Sequence, residues 1–321
     1  MSLSMVEFNA DPTALPLVGT AAGNNGKTGD HLHEWLVINK DDIRQRLHAN
    51  GAILFRGFDV STPAQFEKIA SVFCDEFSDY AGGNSPRTRV QSNVFTSTEY
   101  PKEERISMHN EASYLPRMPR TILFCCLLPS STGGQTPIAD SRRVLSRIEP
   151  QVRARFDRAG VCYVNNLHGG AGLGKSWKQA YGTDDRSEIE RRLKAGGQAF
   201  EWRQNGGLRT SMVAPATARH PITNEEVWIN QAEQWHSSSL DPELLEDLLS
   251  ILSEDELPHH AYFGDGSPLN AQELISVRKA MSAEERMFDW RKGDVLLCDN
   301  YLVMHGRQPY TGDRKIVAAM G

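Results

Sequence analysis

Apolar residues in this chain fall into two kinds of pattern. One is a short, nearly continuous run, as in Ala52–Phe58 (AILFRGF), Ile122–Leu128 (ILFCCLL), Val295–Leu297 and Leu302–Met304. Runs of this length bounded by Gly or polar residues predict strands buried on both faces. The other is a helical stripe. Thr62-Pro63-Ala64-Gln65 supplies an N-cap, a proline at the first helical position and a glutamine to close a capping box, and Phe66, Ile69, Phe73 and Phe77 follow at helical spacing. That stripe predicts an amphipathic helix covering a sheet.

Between about Ile106 and Ile138 the chain is strand-like, punctuated by Pro116, Pro119, Pro129 and Gly133-Gly134. Asp140–Phe156 is expected to be helical, as is Asp241–Leu252, whose leucines recur at helical spacing after Asp241-Pro242. Leu167–Gly207 is polar and glycine-rich with Trp177 and Trp202 as isolated anchors, which predicts an inserted, lid-like region. Gly19–Gly29 matches neither GxGxxG nor a P-loop and is expected to be a plain loop. Interleaved short strands with a few helices favour a mainly β fold with covering helices, a double-stranded β-helix (jelly roll) core, over a doubly wound parallel sheet. The expectation is one domain over residues 1–321, with about 160–290 as insertion, lid and helical cover.

Composition narrows the partners. The 321 residues carry a formal charge of −6, and no basic run stands out, which argues against nucleic acid. No apolar stretch reaches membrane-spanning length, and the N-terminus lacks a basic segment followed by an apolar one. The five cysteines (Cys74, Cys125, Cys126, Cys162, Cys298) lack CxxC spacing and are expected as reduced thiols in a cytoplasmic protein.

The candidate chemistry is a triad split across the chain: His109-Asn110-Glu111 and His305. Two histidines and a carboxylate on one face of a metal leave open positions opposite, the ligand set of non-heme Fe(II) oxygenases. On a strand, residues i and i+2 share a face, so His109 and Glu111 are expected to project together with Asn110 turned away. Of the ten histidines only His109 is followed two places later by an acid. Gly133-Gly134-Gln135-Thr136 and Arg314 add a hydroxyl and a guanidinium suited to a carboxylate, such as the distal one of an iron-chelating 2-oxoglutarate.

Six segments together carry a family resemblance: SPRTRV (Ser85–Val90), TSTEYP (Thr96–Pro101), MHNEASY (Met108–Tyr114), GGQTPIADSRRV (Gly133–Val144), VWINQAEQWH (Val227–His236) and DNYLVMHGRQPYTGDRKI (Asp299–Ile316). From about Ala52 onward the chain resembles the taurine dioxygenase-like (TauD/TfdA) Fe(II)/2-oxoglutarate-dependent oxygenases. It is most similar to the branch of amino-acid hydroxylases that includes the syringomycin aspartyl β-hydroxylase. The resemblance implies His109, Glu111 and His305 as iron ligands and Thr136 with Arg314 as the clamp on 2-oxoglutarate, with O₂ as oxidant. It also implies decarboxylation to succinate coupled to hydroxylation of an unactivated C–H bond. Glu111 stands where much of the family has Asp, but clavaminate synthase-like members also use Glu, and its presence excludes the halogenating variants. Ala318 stands where taurine dioxygenase has the arginine that binds sulfonate, which argues against taurine.

The expected substrate is a small polar acid, foremost an amino acid, free or presented on a carrier protein, in specialised-metabolite (antibiotic) biosynthesis. A phosphonate or other organic acid, or desaturation or cyclisation, is the alternative. Candidate substrate contacts are Arg87, Arg105, Asn110, Ser113, Tyr114 and Asn230, with Arg89, Arg209 and His236 behind them. The pairs His31-x-His33 and His259-His260 are expected to face solvent. A metal-dependent hydrolase or a silent jelly-roll binding protein are the competing classes, disfavoured by the Thr136–Arg314 clamp. Neither nucleic acid nor membrane is an expected partner; further copies of the chain in a homo-oligomer are.

Overall fold

The computed structural model describes residues 5–11, 13–23, 27–78, 88–97, 100–115 and 117–321. An eight-stranded sheet runs in the order Val6–Phe8, Leu17–Ala21, Ala52–Arg56, Val295–Asp299, Thr121–Leu128, Lys315–Met320, Val94–Thr96, Arg89–Gln91. Its pairings are antiparallel except for Leu17–Ala21 against Ala52–Arg56. A second, three-stranded sheet is ordered Ile138–Asp140, Val303–Arg307, Ile106–His109. This is the jelly-roll core that the strand pattern predicts.

Alternation of side chains explains why the large sheet's sequence reads as unbroken apolar runs. Ile53, Phe55, Leu123, Cys125, Val295, Leu297, Val317 and Ala319 pack outward against three helices, Gly29–Ile38, Lys40–Asn50 and Pro63–Ser71, through Leu32, Leu36, Ile43, Leu47, Phe66 and Ile69. The intervening residues Leu54, Ile122, Phe124, Leu296, Ile316 and Ala318 pack inward with Ile138 and Val303 of the small sheet. Each such buried Leu, Ile or Phe contributes about 1.5–3 kcal/mol, so both faces are held by burial rather than by strand pairing alone.

Residues 161–263 supply a further antiparallel sheet, Ala199–Trp202, Leu208–Ala214, Val161–Leu167 and His259–Phe263, backed by the helix Ala271–Glu284. Its core, built on Phe156, Trp228, Trp235 and Phe263, continues onto Met108 and Met304. The small sheet thus lies between the large sheet and this segment. Buried thiols fit the core: Cys74, Cys125, Cys126 and Cys298 are free, and burial pushes the Cys74 and Cys126 thiols up to about 12. Among the described residues no helix is long and apolar enough to cross a membrane.

Several local expectations change. The stretch Asp140–Phe156 is two helices, Ser141–Arg147 and Pro150–Ala159, because Pro150 forces Glu149 out of helical geometry. The expected Gly19–Gly29 loop includes regular structure: Leu17–Ala21 is a strand in which Gly19 lets Val6 approach, a Cβ there lying 2.9 Å from Val6 Cγ1. Thr62 caps its helix as expected, but Gln65 Oε1 accepts from Ser61 N–H (3.1 Å) rather than closing the box on Thr62. Leu167–Gly207 contains the helices Trp177–Tyr181 and Arg186–Ala195, and Trp177 and Trp202 meet edge-on at 5.3 Å over a small apolar cluster. His260 is buried, not solvent-facing, because its strand packs that face inward.

Candidate active site

Two strands far apart in sequence bring the histidines together. His305 on Val303–Arg307 is the register partner of His109 on Ile106–His109, with ring centroids 4.8 Å apart. Phe124 of the large sheet packs on the other side of His305 at 5.0 Å. His109 Nδ1 lies 2.8 Å from Ser107 O. A carbonyl can only accept, so Nδ1 carries the proton and Nε2 the lone pair.

Glu111 reaches the site by a different route from the one its spacing suggests. The strand ends at His109, and Glu111 sits in the following turn, where Ala112 adopts φ +54°. That left-handed residue costs strain and re-aims the carboxylate. The turn is gripped from the strand end at Asp299. Asn300 Oδ1 accepts from Glu111 N–H at 2.7 Å, and Asn300 Nδ2 donates to Glu111 O at 3.0 Å and Pro119 O at 2.8 Å. Asn110 does point away: its Nδ2 donates to Asn300 O (2.7 Å) and Ser141 Oγ (3.2 Å), and its carbonyl accepts from Gln231 Nε2 (2.8 Å).

One carboxylate oxygen faces both rings. Glu111 Oε2 is 3.6 Å from His305 Nε2 and 4.0 Å from His109 Nε2. These separations are too long for hydrogen bonds. Ligand atoms ~2.1 Å from one ion and ~90–110° apart stand ~3.0–3.4 Å from each other, so a small closure would bring all three onto one divalent metal. The donor set, two imidazoles and a carboxylate from one side, fits iron(II).

Beside the triad lies a half-open cavity lined by Ser97, Ile106, His109, Phe124, Thr136, His305, Gly306, Arg307, Arg314 and Ile316. Both residues of the expected clamp line it. Thr136 Oγ accepts from Trp290 Nε1 at 3.0 Å, which leaves its own proton to donate. Arg314 Nε donates to Gly134 O at 3.1 Å. Gly134, at φ +71°, is needed there: a Cβ would stand 2.5 Å from Ser130 Oγ and 3.1 Å from Arg314 Nε. Burial, and then the nearby Arg307 charge, lower the Arg314 guanidinium to about 10, so it stays cationic at neutral pH.

The substrate candidates fare unevenly. Ser113 Oγ is buried without a hydrogen-bond partner, two residues from Glu111. Tyr114 packs on Trp235 at 5.1 Å and on Tyr163 at 6.1 Å. Arg105 lies before the strand and pairs with Glu285 instead of entering the cavity. Asn230 serves backbone groups, donating to Ala216 O and accepting from Ala232 N–H. Arg209 is held by Asn166 and Asp255 O, and Arg89 lies over Phe95 and donates to Ser92 O. His236 has both ring nitrogens engaged, with Ser238 and Leu269 O. Arg87 lies outside the described residues.

Two other clusters pair histidines with an acid: His48, His220, Asp299 and His236, Glu254, His260. In the first, His220 Nδ1 accepts from Thr223 N–H and its Nε2 meets Asp299 Oδ2 at 2.9 Å, so no His220 lone pair is left for an ion. In the second, His236 is committed as described. Sequence reasoning missed Asn300, Ser107, Trp290 and Gln231. Asn300, Trp290 and Gln231 act through contacts between segments remote in sequence, and Ser107 through a backbone carbonyl that carries no residue-type signal; only the Asp299-Asn300 interruption between two strands was visible beforehand.

Fold and site together define a jelly-roll oxygenase, dependent on iron(II) and 2-oxoglutarate. The family is shown by a family-wide match: residues 13–320 fit the taurine catabolism dioxygenase TauD, TfdA family, and the chain belongs to it. It is 37% identical over 278 residues to the dapdiamide synthesis protein DdaC of Enterobacter agglomerans, covering 87% of this chain and 84% of that protein. It is 31% identical over 297 residues to a clavaminate synthase-like protein of Arabidopsis thaliana, covering 89% and 86%. In fold it resembles the PvcB protein from Pseudomonas aeruginosa, with a TM-score of 0.55 at 15% identity over 100% of this chain and 92% of that one. Membership of this dioxygenase family sets aside the hydrolase and silent-domain readings.

Proposed function

We propose that the protein hydroxylates an unactivated C–H bond of a small polar acid, foremost an amino acid, free or carrier-bound, in specialised metabolism. His109, Glu111 and His305 would hold iron(II), and Thr136 with Arg314 would hold the distal carboxylate of 2-oxoglutarate. Iron with this cosubstrate supplies the activation of O₂ and the oxidation of the C–H bond. The chain supplies the rest. Ser107 fixes the His109 tautomer, Asn300 aims Glu111, and Phe124 confines the His305 ring. The apolar walls Ile106, Phe124 and Ile316 limit water beside the triad.

The observation that carries the reading is the meeting of Glu111 Oε2 with two imidazole Nε2 atoms beside a cavity in which Arg314 has no carboxylate partner among the described residues. For the substrate, the likeness to a dapdiamide synthesis protein and the motif run shared with amino-acid hydroxylases support an amino acid. A solved PvcB structure is described as an Fe, alpha-ketoglutarate dependent oxygenase from an isonitrile synthetic pathway, which supports specialised metabolism. Ser113, with its unpartnered hydroxyl beside Glu111, is the favoured polar contact to substrate. We also take the chain as one oxygenase domain, in which residues of about 160–290 cover the small sheet.

The test is anaerobic titration of the Fe(II)-loaded protein with 2-oxoglutarate, followed by visible absorption. A metal-to-ligand band that His305→Ala abolishes, and that candidate amino acids perturb, supports the assignment. Full band intensity in His305→Ala would sink it.

A further inference from the structure

Arg307 lies two residues beyond His305 on the strand Val303–Arg307, is 5% exposed, and lines the same cavity as Thr136 and Arg314. Its hydrogen bonds go to backbone carbonyls: Nη1 donates to Tyr100 O at 2.9 Å, and Nη2 to Pro101 O at 2.5 Å and Glu104 O at 2.8 Å. Its Nε is buried without a partner. Among the described residues no carboxylate forms an ion pair with it, and Glu103, whose charge acts on it, is exposed. Carbonyl dipoles satisfy the Nη donors but cancel no net charge, so a full positive charge stands buried in the cavity wall.

The second guanidinium is close by. Arg307 Cζ and Arg314 Cζ lie 5.2 Å and 5.5 Å from the centroid of the same Tyr310 ring. The ring quadrupole tempers both cations without neutralising either. Segment 100–104 is fastened twice to the strand pair around Arg307, by its guanidinium and by Tyr310 N–H donating to Lys102 O at 2.9 Å. That segment runs directly into the strand carrying His109. Two like charges that line one cavity are therefore held beside one aromatic ring. An anion entering there relieves the repulsion, and more so the greater its charge.

We propose that Arg307 is a specificity-determining residue of the cosubstrate cavity: its charge, fixed by segment 100–104, is the second positive charge that makes the cavity select a doubly negative 2-oxo acid over a singly negative one. The inference rests on reading this cavity as the 2-oxoglutarate site. It assigns selectivity to a residue outside the Thr136–Arg314 clamp.

The experiment is calorimetric titration of the full-length Mn(II)-loaded protein with 2-oxoglutarate and with 2-oxopentanoate, which has the same carbon chain without the distal carboxylate. Wild-type protein is expected to prefer 2-oxoglutarate. Arg307→Gln should weaken 2-oxoglutarate by about tenfold or more and 2-oxopentanoate by less than about threefold, shrinking the preference. Arg307→Lys, which keeps the charge and loses the three-carbonyl fork, should retain most of it. Equal weakening of both ligands in Arg307→Gln, with the preference left intact, would show a purely structural role and overturn the inference. Unchanged binding in Arg307→Gln would overturn it as well. Wild-type protein that does not bind 2-oxoglutarate would instead overturn the cavity reading, and the inference with it.

Discussion

Asn300 holds Glu111 by both of its backbone polar groups, accepting from its N–H at 2.7 Å and donating to its carbonyl at 3.0 Å. A side-chain amide has the donor and acceptor spacing of a peptide group, so it can replace the strand partner that the chain loses after His109. Because Ala112 at φ +54° turns the backbone out of extended geometry, no strand neighbour could do this instead. Asn300 is fully buried, and it also donates to Pro119 O.

Asn300→Ala removes three hydrogen bonds and leaves buried Glu111 and Pro119 groups unpaired. It should lower stability by about 1–3 kcal/mol and weaken divalent-metal affinity about 10- to 100-fold. Thermal melts of the metal-free protein and Mn(II) titrations separate the two effects. Metal affinity unchanged within about twofold would show that the Glu111 turn holds itself.

Thr136 is predicted to act as a donor, because Trp290 Nε1–H occupies its acceptor side at 3.0 Å. Thr136→Val keeps the shape, removes the donor to an incoming carboxylate and strands a buried indole N–H. A hydrogen bond to a charged group is worth about 1.5–3 kcal/mol, so the 2-oxoglutarate KM should rise about 10- to 100-fold with a smaller change in kcat. Thr136→Ser should retain most of the wild-type KM. Steady-state kinetics on both variants checks this, and a KM unmoved in Thr136→Val would remove Thr136 from the clamp.

How much of this was legible beforehand follows from the range of each interaction. The strands around Leu54, Leu123 and Leu297 were visible because burial on both faces leaves a local signature, a run without polar interruptions. The residues of the triad stood out by type and spacing, and the structure brings His109, Glu111 and His305 together. The way Glu111 gets there was not visible: period-two alternation placed it on the strand, whereas a turn and the Asn300 grip place it. Arg105 and Asn230 resembled pocket residues because a sequence does not show that Glu285 or a neighbouring backbone has already claimed them. Polar partners drawn from remote segments leave no periodicity to read.

Acid sensitivity should come in part from the insertion sheet. His260 is buried with its ring 4.9 Å from that of His236, and its pKa is lowered by burial first and then by the His236 charge. His236 is lowered too, chiefly by burial. Glu254, 4.0 Å from His260 Nε2, and the Arg209 charge act on the same group in opposite directions. A histidine whose folded pKa is depressed binds fewer protons folded than unfolded. Its neutral form is therefore compatible with full stability above about pH 6.5, and stability is lost as pH falls below that value. Melting temperatures measured from pH 7.5 down to pH 4.5 should fall, and His260→Gln should flatten the slope. Parallel curves for wild type and variant would place the acid sensitivity elsewhere.

Arg314 gives the opposite dependence and a test of the cavity without turnover. Burial and Arg307 lower its pKa to about 10, so the folded protein carries a charge it would partly shed if it could. For a cation with a depressed folded pKa the electrostatic penalty is present at neutral pH and is relieved as pH rises through about 10. A dicarboxylate binding there supplies the missing anion and should raise the melting temperature at pH 7.5. That gain should hold to about pH 9 and shrink above about pH 10, as the guanidinium loses its proton. Arg314→Met removes the buried charge. It should leave the unliganded protein at least as stable near neutral pH, because the penalty goes with the charge, while abolishing the ligand-induced rise. Differential scanning fluorimetry with 2-oxoglutarate across that pH range decides the matter. A ligand-induced rise that survives in Arg314→Met would mean that another residue carries the distal carboxylate, and Arg307 would be the first place to look.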